Sequence, residues 1–183
     1  ELLITQNVDC LHRRAGSQNV VDLHGRLDRV RCLDCDAQYQ RDAIQVVLQN
    51  NNPALFNLAA NPLPDGDADL PERAVNSIEV PICDRCSGTL MPNVVFFGGS
   101  VPKARVKLCM DSLEKADALL SIGSSLQVFS GFRFCRRAHE LGKPVVLINP
   151  GTTRADPIAT LKFSNPCGPL LEQWSSSWTR QRC

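Results

Sequence analysis

The sequence predicts an α/β protein in which a small lobe is inserted into a parallel sheet with helices on both faces. One observation behind this prediction is the alternation of apolar strand-like segments and helical segments over residues 93–183. The other is a stretch over residues 32–92 that begins and ends with a pair of cysteines. Continuous apolar strands that alternate with helices are typical of a covered parallel sheet. We therefore expect residues 1–31 and 93–183 to form the domain that contains the sheet and residues 32–92 to form the lobe.

The individual elements follow from hydrophobic periodicity. Short apolar runs predict strands, and apolar residues at three- to four-residue spacing predict helices. Residues 50–72 are rich in Pro, Asn, Asp and Gly, which predicts an irregular loop. The predicted strands are residues 2–4, 20–23, 94–97, 118–122 and 144–148. The predicted helices are residues 41–49, 103–115 and 132–141.

Composition excludes several classes of protein. The 183 residues are 43% hydrophobic and 21% charged, as in ordinary globular proteins. The net charge of +1 provides no strong field for nucleic acid or an anionic membrane surface, and no apolar run reaches the ~18 to 20 residues of a membrane span. We expect neither a nucleic-acid nor a membrane partner, and the sequence predicts no oligomeric state. Because the chain starts with Glu1 directly before an apolar strand, we expect it to be a fragment of a longer protein.

The strongest motif is a pair of C-x-x-C sequences, formed by Cys32 with Cys35 and by Cys83 with Cys86. Two intervening residues let both sulfurs of a pair reach one metal ion, and structural Zn²⁺ takes four such ligands in a tetrahedron. Two redox motifs or unpaired core cysteines are the alternatives. Since four thiolates leave no open coordination position, the sequence predicts one structural Zn²⁺. Because paired cysteines in a chain of this size more often bind a metal than form secreted disulfides, we also expect an intracellular, reducing compartment.

Polar segments follow the predicted strands, where α/β proteins place their ligand-binding loops. Each also has a simpler interpretation: a polar turn whose Asn and Asp bond their own backbone, a histidine satisfied in the core, or an ordinary loop. The segments are Thr5-Gln6-Asn7-Val8-Asp9, Leu23-His24-Gly25, Ile122-Gly123-Ser124-Ser125-Leu126 and Asn149-Pro150-Gly151.

In this order, around two cysteine pairs, these segments resemble the sirtuin family, with its T-Q-N-hydrophobic-D, H-G and G-[ST]-S blocks. Val94-Val95-Phe96-Phe97-Gly98 resembles a further block of the family, and the resemblance runs from Thr5 to about Cys167. Two features are most similar to the branch that contains sirtuin 4 and related bacterial enzymes: the long segment between the cysteine pairs and the sequence Ser124-Ser125-Leu126-Gln127-Val128.

The resemblance implies that residues 1–31 and 93–183 form a Rossmann-like NAD-binding domain and residues 32–92 a zinc-binding lobe. It implies an NAD-dependent protein-lysine deacylase that uses NAD as a co-substrate, acts on acyl-lysine proteins, and releases nicotinamide and O-acyl-ADP-ribose. It implies that His24 is the general base and that Asn7 positions a water or hydroxyl. Residues 94–98 are implied to hold an extended substrate peptide by strand addition, with a core strand as the alternative. The implied cofactor contacts are Gln6, Asn7, Val8, Asp9, Gly123, Ser124, Ser125, Asn149, Pro150, Gly151 and Cys167.

The sequence departs from the family in ways that keep other functions open. The family's glycine-rich phosphate loop is absent, and we expect it upstream of Glu1 with the first strand of the sheet, so activity of the fragment alone does not follow. Pro150 cannot donate a backbone hydrogen bond to a ligand. Protein mono-ADP-ribosylation and a non-catalytic, zinc-stabilised binding module are the alternatives. A bacterial protein of this kind is expected in the cytoplasm and a eukaryotic one in the mitochondrial matrix.

Overall fold

The structure, a computed structural model, describes residues 1–54, 61–62, 68–69 and 71–180. The chain divides into two compact units. Unit 1 comprises Glu1–Gln6, His12–Leu23 and Phe97–Cys183, and unit 2 comprises Asn7–Leu11 and His24–Phe96. This division assigns residues 7–11, 24–31 and 93–96 to the unit that contains the cysteine pairs, whereas the sequence grouped them with the sheet. The predicted domain boundaries stay a prediction.

The elements are numbered in chain order. The strands are β1 (Leu3–Thr5), β2 (Val20–Asp22), β3 (Gly25–Cys32), β4 (Gln38–Gln40), β5 (Asn61–Pro62), β6 (Ala68–Asp69), β7 (Leu90–Val94), β8 (Leu119–Ile122), β9 (Val145–Ile148) and β10 (Leu161–Phe163). The helices are α1 (Leu11–Arg14), α2 (Arg41–Asn51), α3 (Glu72–Asn76), α4 (Lys103–Lys115), α5 (Phe129–Glu140) and α6 (Cys167–Arg180), and a short 3₁₀ helix covers Asp156–Ile158.

Unit 1 is built from parallel strands and the helices between them. β1 pairs in parallel with β2, and a second parallel sheet has the order β10-β9-β8. Helix α5 connects β8 to β9, as parallel neighbours require. The predicted α/β fold with a parallel sheet and helices is confirmed, and α4 has the predicted bounds.

The core of unit 1 is apolar. Helix α4 contributes Cys109 and Leu113, which are one helical turn apart, so a single stripe of the helix is buried. Strand β9 contributes Val145 and Leu147, both almost fully buried. Full burial of a side chain such as Leu147 contributes roughly 1.5–3 kcal/mol, so a cluster of this kind stabilises unit 1 without any bound ion.

Unit 2 contains an antiparallel sheet of order β4-β3-β7. Its buried hydrophobic cluster is small and consists of Cys32, Ala37 and Cys83, with Tyr39 and Leu90 packed against it. Part of the predicted loop over residues 50–72 falls outside the described residues.

One predicted strand was misplaced. The apolar run over residues 94–97 predicts a strand, but β7 spans Leu90–Val94 and only Val94 belongs to the run. Strand β3, which pairs with β7, begins at Gly25, and Gly25 lies opposite Val94. The strand pairing therefore ends at Val94, and the next residue, Val95, makes one backbone hydrogen bond to His24. Gly98 then turns the chain at φ +82°, and Phe97 is fully exposed. Hydrophobicity alone therefore placed the strand too late.

Every helix within the described residues is too short or too polar to span a bilayer.

Candidate metal centre and cofactor site

The four cysteines of the C-x-x-C pairs converge in unit 2. Their sulfur atoms all lie within 4.8 Å of one another. The Sγ atoms of Cys32 and Cys86 are 3.5 Å apart, and those of Cys35 and Cys83 are 3.7 Å apart. A tetrahedral site with Zn–S bonds of about 2.3 Å has sulfur–sulfur edges of ~3.8 Å. Donor type, number and spacing therefore all fit one structural zinc ion.

Two similar turns present these sulfurs. The residue after each second cysteine has a left-handed backbone, with φ of 56° at Asp36 and 58° at Ser87. In the first turn the N–H of Asp34 donates to Cys32 Sγ at 3.4 Å. Backbone N–H groups that point at sulfur favour the thiolate form, which is the form that binds metals.

Tyr39 on β4 contacts the second turn. Its hydroxyl lies 3.0 Å from Cys83 Sγ and also donates to Asp84 Oδ1. The hydrogen bond with Tyr39 lowers the pKa of Cys83 to about 6, whereas the hydrogen bond with Cys35 raises the pKa of Cys86 to about 12. Cys83 is therefore the sulfur of this pair that ionises more readily before a metal binds.

Two sequence motifs meet in unit 1 at the carboxyl ends of β1 and β8. Gln6 Nε2 donates to Ser124 Oγ at 3.1 Å, and that oxygen also accepts from the N–H of Leu126 at 3.2 Å. Gly123 has φ +64° and continues the parallel ladder by donating to the Ile148 carbonyl at 2.8 Å. The exposed Gly123 and Ser125 and the half-buried Ser124 thus form a polar edge with little side-chain bulk.

Gly131 on α5 is a residue of this region that sequence reasoning missed. A Cβ atom at Gly131 would lie 2.7 Å from the side-chain amide of Gln6, so the glycine provides the space in which that amide packs. A glycine inside a helical pattern often has a packing reason, and this was the available signal.

The segment after β9 is held by a lysine that the sequence did not single out. Lys162 Nζ donates to the Gly151 carbonyl at 3.0 Å and to Asp156 Oδ2 at 2.7 Å. Asn149 Nδ2 also donates to the Gly151 carbonyl at 3.0 Å, while Pro150 is exposed. Lys162 and then the Thr153 hydroxyl lower the pKa of Asp156. Because β8 and β9 are adjacent and parallel, their following segments lie at the same edge of the sheet.

Cys167, the last predicted cofactor contact, lies beside this edge. Its Sγ atom would be 3.5 Å from a Cβ atom placed on Gly123. The residue begins α6 and is half-buried. The structure thus brings Gln6, Gly123, Ser124 and Cys167 together within unit 1.

Most of the remaining candidates belong to unit 2, whereas Phe97 and Gly98 belong to unit 1. The N–H of Leu27 donates to the Val8 carbonyl at 3.0 Å, which ties the turn containing Asn7 and Asp9 to β3. Asp9 Oδ1 accepts from the N–H of Leu11 at 2.9 Å, so the simpler interpretation of Asp9 as a turn residue also describes a real contact. Asn7 and Asp9 are exposed.

His24 and Gly25 are positioned by the strand opposite. The N–H of Val95 donates to the His24 carbonyl at 2.7 Å, and the His24 side chain is half-buried. Gly25 has φ +91°, and a Cβ atom there would lie 2.1 Å from the carbonyl oxygen of Asn93. Only glycine allows this approach, because any side chain would collide with the β7 backbone. Phe96 and Phe97, in the predicted peptide-binding segment, are exposed.

The comparisons with known proteins decide the family. The model of the Sir2 family matches residues 1–130. The chain belongs to this family. Similar proteins include an NAD-dependent protein deacetylase of Xanthomonas axonopodis pv. citri (strain 306), 52% identical over 171 residues, or 93% of this chain and 58% of the relative. The mitochondrial NAD-dependent protein lipoamidase sirtuin-4 of Bos taurus is 48% identical over 169 residues, or 92% of this chain and 54% of the relative.

Solved sirtuin structures agree with this result. A structure of Sir2 with a p53 peptide and NAD⁺ has a TM-score of 0.75 and 27% identity, and the match covers 98% of this chain and 63% of that chain. The bacterial and sirtuin-4 relatives match the predicted branch. This sirtuin chain spans only a little more than half the length of the first curated relatives it matches, 58% for the Xanthomonas protein.

Proposed function

We propose that this sirtuin chain takes part in the NAD-dependent removal of acyl groups from lysine side chains of proteins. The observation that carries the proposal is the hydrogen bond between Gln6 and Ser124, which joins two motifs 118 residues apart at the carboxyl ends of β1 and β8. Ligands of open α/β sheets bind beyond the carboxyl ends of the strands. The names of the relatives, NAD-dependent protein deacetylase and lipoamidase, support the same function.

The residues at these strand ends suit a dinucleotide. Gly123, Ser124 and Ser125 offer backbone N–H groups and hydroxyls to ribose or phosphate, with Asn149, Pro150, Gly151 and Cys167 beside them as contacts for the adenosine part. Gln6, Asn7, Val8 and Asp9 contact the nicotinamide ribose. When bound, NAD supplies a ribose carbon that reacts with the acyl oxygen as nicotinamide leaves.

The chain's own residues then manage protons and water. His24 accepts a proton from a ribose hydroxyl, the role of a general base. Asn7 orients a water molecule by hydrogen bonding. Val94, Val95, Phe96, Phe97 and Gly98 hold the acyl-lysine peptide in an extended form. The products are a protein whose lysine side chain has lost its acyl group, nicotinamide and O-acyl-ADP-ribose.

The four cysteines hold one structural Zn²⁺ and take no part in the reaction. A bacterial protein would act in the cytoplasm, and a eukaryotic one in the mitochondrial matrix, the latter supported by the mitochondrial relative.

The test is nicotinamide release from NAD in the presence of an acetyl-lysine peptide. It is run with the 183-residue chain and with this chain joined to the part of the Xanthomonas relative that it does not match. We expect the joined protein to release nicotinamide and His24→Ala to reduce the rate by about 10²–10⁴-fold, the usual contribution of a general base. His139→Ala, at an exposed histidine of α5, is the matched control and should keep the full rate.

A full rate for His24→Ala would contradict the assignment of the general base. Labelled ADP-ribose on protein, with no O-acyl-ADP-ribose released, would replace deacylation by ADP-ribosyl transfer.

A further inference from the structure

Side chains that are not metal ligands join the two cysteine turns of unit 2. Asp34 lies in the first turn, and its Oδ2 accepts a hydrogen bond at 3.0 Å from the N–H of Thr89, which follows the second turn. Asp84 lies in the second turn and accepts a hydrogen bond from Tyr39, which follows the first turn. The contacts are reciprocal, and they connect residues 55 and 45 positions apart.

The second turn depends on Tyr39 whichever way its proton points. The hydroxyl has one proton to donate, and its two neighbours, Cys83 Sγ and Asp84 Oδ1, belong to the same turn. Either hydrogen bond therefore ties the second turn to β4.

The first contact needs a glycine in the opposite turn. A Cβ atom at Gly88 would lie 2.1 Å from Asp34 Oδ2, so the carboxylate occupies the space that a side chain would fill. The first turn is also joined by its backbone to the segment after the second turn, because the N–H of Leu33 donates to the Thr89 carbonyl at 2.9 Å. Loss of Asp34 should therefore matter less than loss of Tyr39.

Apolar burial alone gives these turns little support. Within the described part of the chain, the buried members of the cluster around them are Cys32, Ala37 and Cys83, with Tyr39 and Leu90 packed against it. The separation of the sulfurs therefore depends on strand pairing, on the backbone link from Leu33 to Thr89 and on the two reciprocal hydrogen bonds.

We propose that Tyr39 and Asp34 are positioning residues that hold the two cysteine turns at metal-binding separation and so slow the loss of the metal ion. The proposal rests on the zinc site and not on the deacylase reaction. Residues that orient metal ligands by hydrogen bonding typically change metal affinity by about 10–100-fold when substituted.

The experiment measures zinc release from the zinc-loaded 183-residue chain after addition of excess chelator. We expect Tyr39→Phe to release zinc about 10–100-fold faster than wild type. Asp34→Ala should show a smaller increase, and Asp34→Asn should stay near wild type because its amide oxygen still accepts a hydrogen bond. Ser77→Ala is the matched control: it removes a hydroxyl that donates to the Ala74 carbonyl at 2.9 Å in the same unit, and it should not change the rate.

Cobalt substitution tests whether the Tyr39 proton, which is donated to Asp84 Oδ1 in this structure, is donated to Cys83 Sγ once a metal ion is bound. If the hydroxyl donates to sulfur, Tyr39→Phe shifts the thiolate-to-Co²⁺ charge-transfer band. If it donates to Asp84, the band is unchanged and Asp84→Ala reproduces the faster zinc release. Both results support a positioning role.

Wild-type release rates for Tyr39→Phe and Asp34→Ala, with wild-type circular dichroism, would overturn the proposal. If Tyr39→Phe does not fold, the comparison of Asp34→Ala with Asp34→Asn still decides. A wild-type chain that binds neither Zn²⁺ nor Co²⁺ would refute the metal site and this inference together, whereas nicotinamide release tests the proposed reaction separately.

Discussion

The two units of the chain differ in what stabilises each of them internally. Unit 1 buries large apolar side chains such as Leu23, Phe134 and Leu147 in one cluster. Among the residues that the structure describes, the cluster around the cysteines of unit 2 has three buried members, and two of them, Cys32 and Cys83, are proposed metal ligands. A region with its own apolar core can leave its strand ends free for polar groups. A region whose core consists of ligands is stabilised mainly when the ion is bound.

The expected magnitudes differ accordingly. Each large side chain buried in unit 1 contributes roughly 1.5–3 kcal/mol, and many such contributions add up. A structural zinc ion contributes about 10–16 kcal/mol of apparent binding free energy in zinc-finger peptides near neutral pH. In unit 2 a single ion can therefore outweigh the burial of the small cluster around the cysteines.

The largest effect is expected from removal of one metal ligand. Cys83→Ser should abolish stable zinc binding and remove the hydrogen-exchange protection of β3, β4 and β7, while β8 and β9 keep theirs. Hydrogen exchange followed by mass spectrometry measures both regions in one sample. Cys109→Ser is the control. Cys109 is a buried cysteine of unit 1 that is not one of the four proposed metal ligands, so this substitution should leave zinc stoichiometry unchanged. Equal loss of protection in both units would show that the contrast between them is wrong.

A smaller effect is expected where the strands of unit 2 approach closely. Gly25→Ala places a Cβ atom 2.1 Å from the Asn93 carbonyl oxygen, in addition to the strain of φ +91°. Gly16→Ala has almost the same φ, +92°, but nothing lies within 4 Å, so it reports the strain alone, roughly 1–2 kcal/mol. We expect Gly25→Ala to reduce the free energy of unfolding by at least about 1 kcal/mol more than Gly16→Ala, since overpacking typically costs 1–3 kcal/mol.

Denaturant unfolding of both zinc-loaded variants makes this comparison. Equal losses of stability would mean that the β7 backbone moves away from Gly25 at little cost.

The smallest effect is expected from loss of the ion pair between Lys162 and Asp156. Lys162, and to a lesser degree Thr153, lower the pKa of Asp156, so the carboxylate stabilises the fold above its unfolded pKa of about 3.9. This contribution is lost as the pH falls through the lowered pKa. Asp156→Asn should therefore lower the melting temperature near pH 7, and the difference from wild type should shrink in acid.

Thermal melts at several pH values test this expectation. Asp111→Asn serves as the control. It removes the i,i+4 partner of Lys107 in an ion pair that is more exposed than the pair of Lys162 with Asp156, so the melting temperature should change little. A difference between Asp156→Asn and wild type that is independent of pH would contradict the role of the charge.

Local patterns in the chain were enough to predict most elements of unit 1 and the cysteine cluster. Helix α4 and the strands β8 and β9 show their periodicity over a few neighbouring residues, which is information that any short segment carries. The spacing of Cys32 to Cys35 and of Cys83 to Cys86 is equally local, because each pair is a single turn. The order of the polar segments then indicated the family.

Contacts between distant residues could be seen only in the folded chain. The packing of Gln6 against Gly131, the hydrogen bond from Tyr39 to Asp84 and the end of β7 at Val94 depend on where remote segments meet. An apolar run such as residues 94–97 looks the same whether or not a partner strand continues beside it. Periodicity reports which face of an element is apolar, whereas pairing and side-chain partners depend on the path of the whole chain, and that path is set by three-dimensional packing.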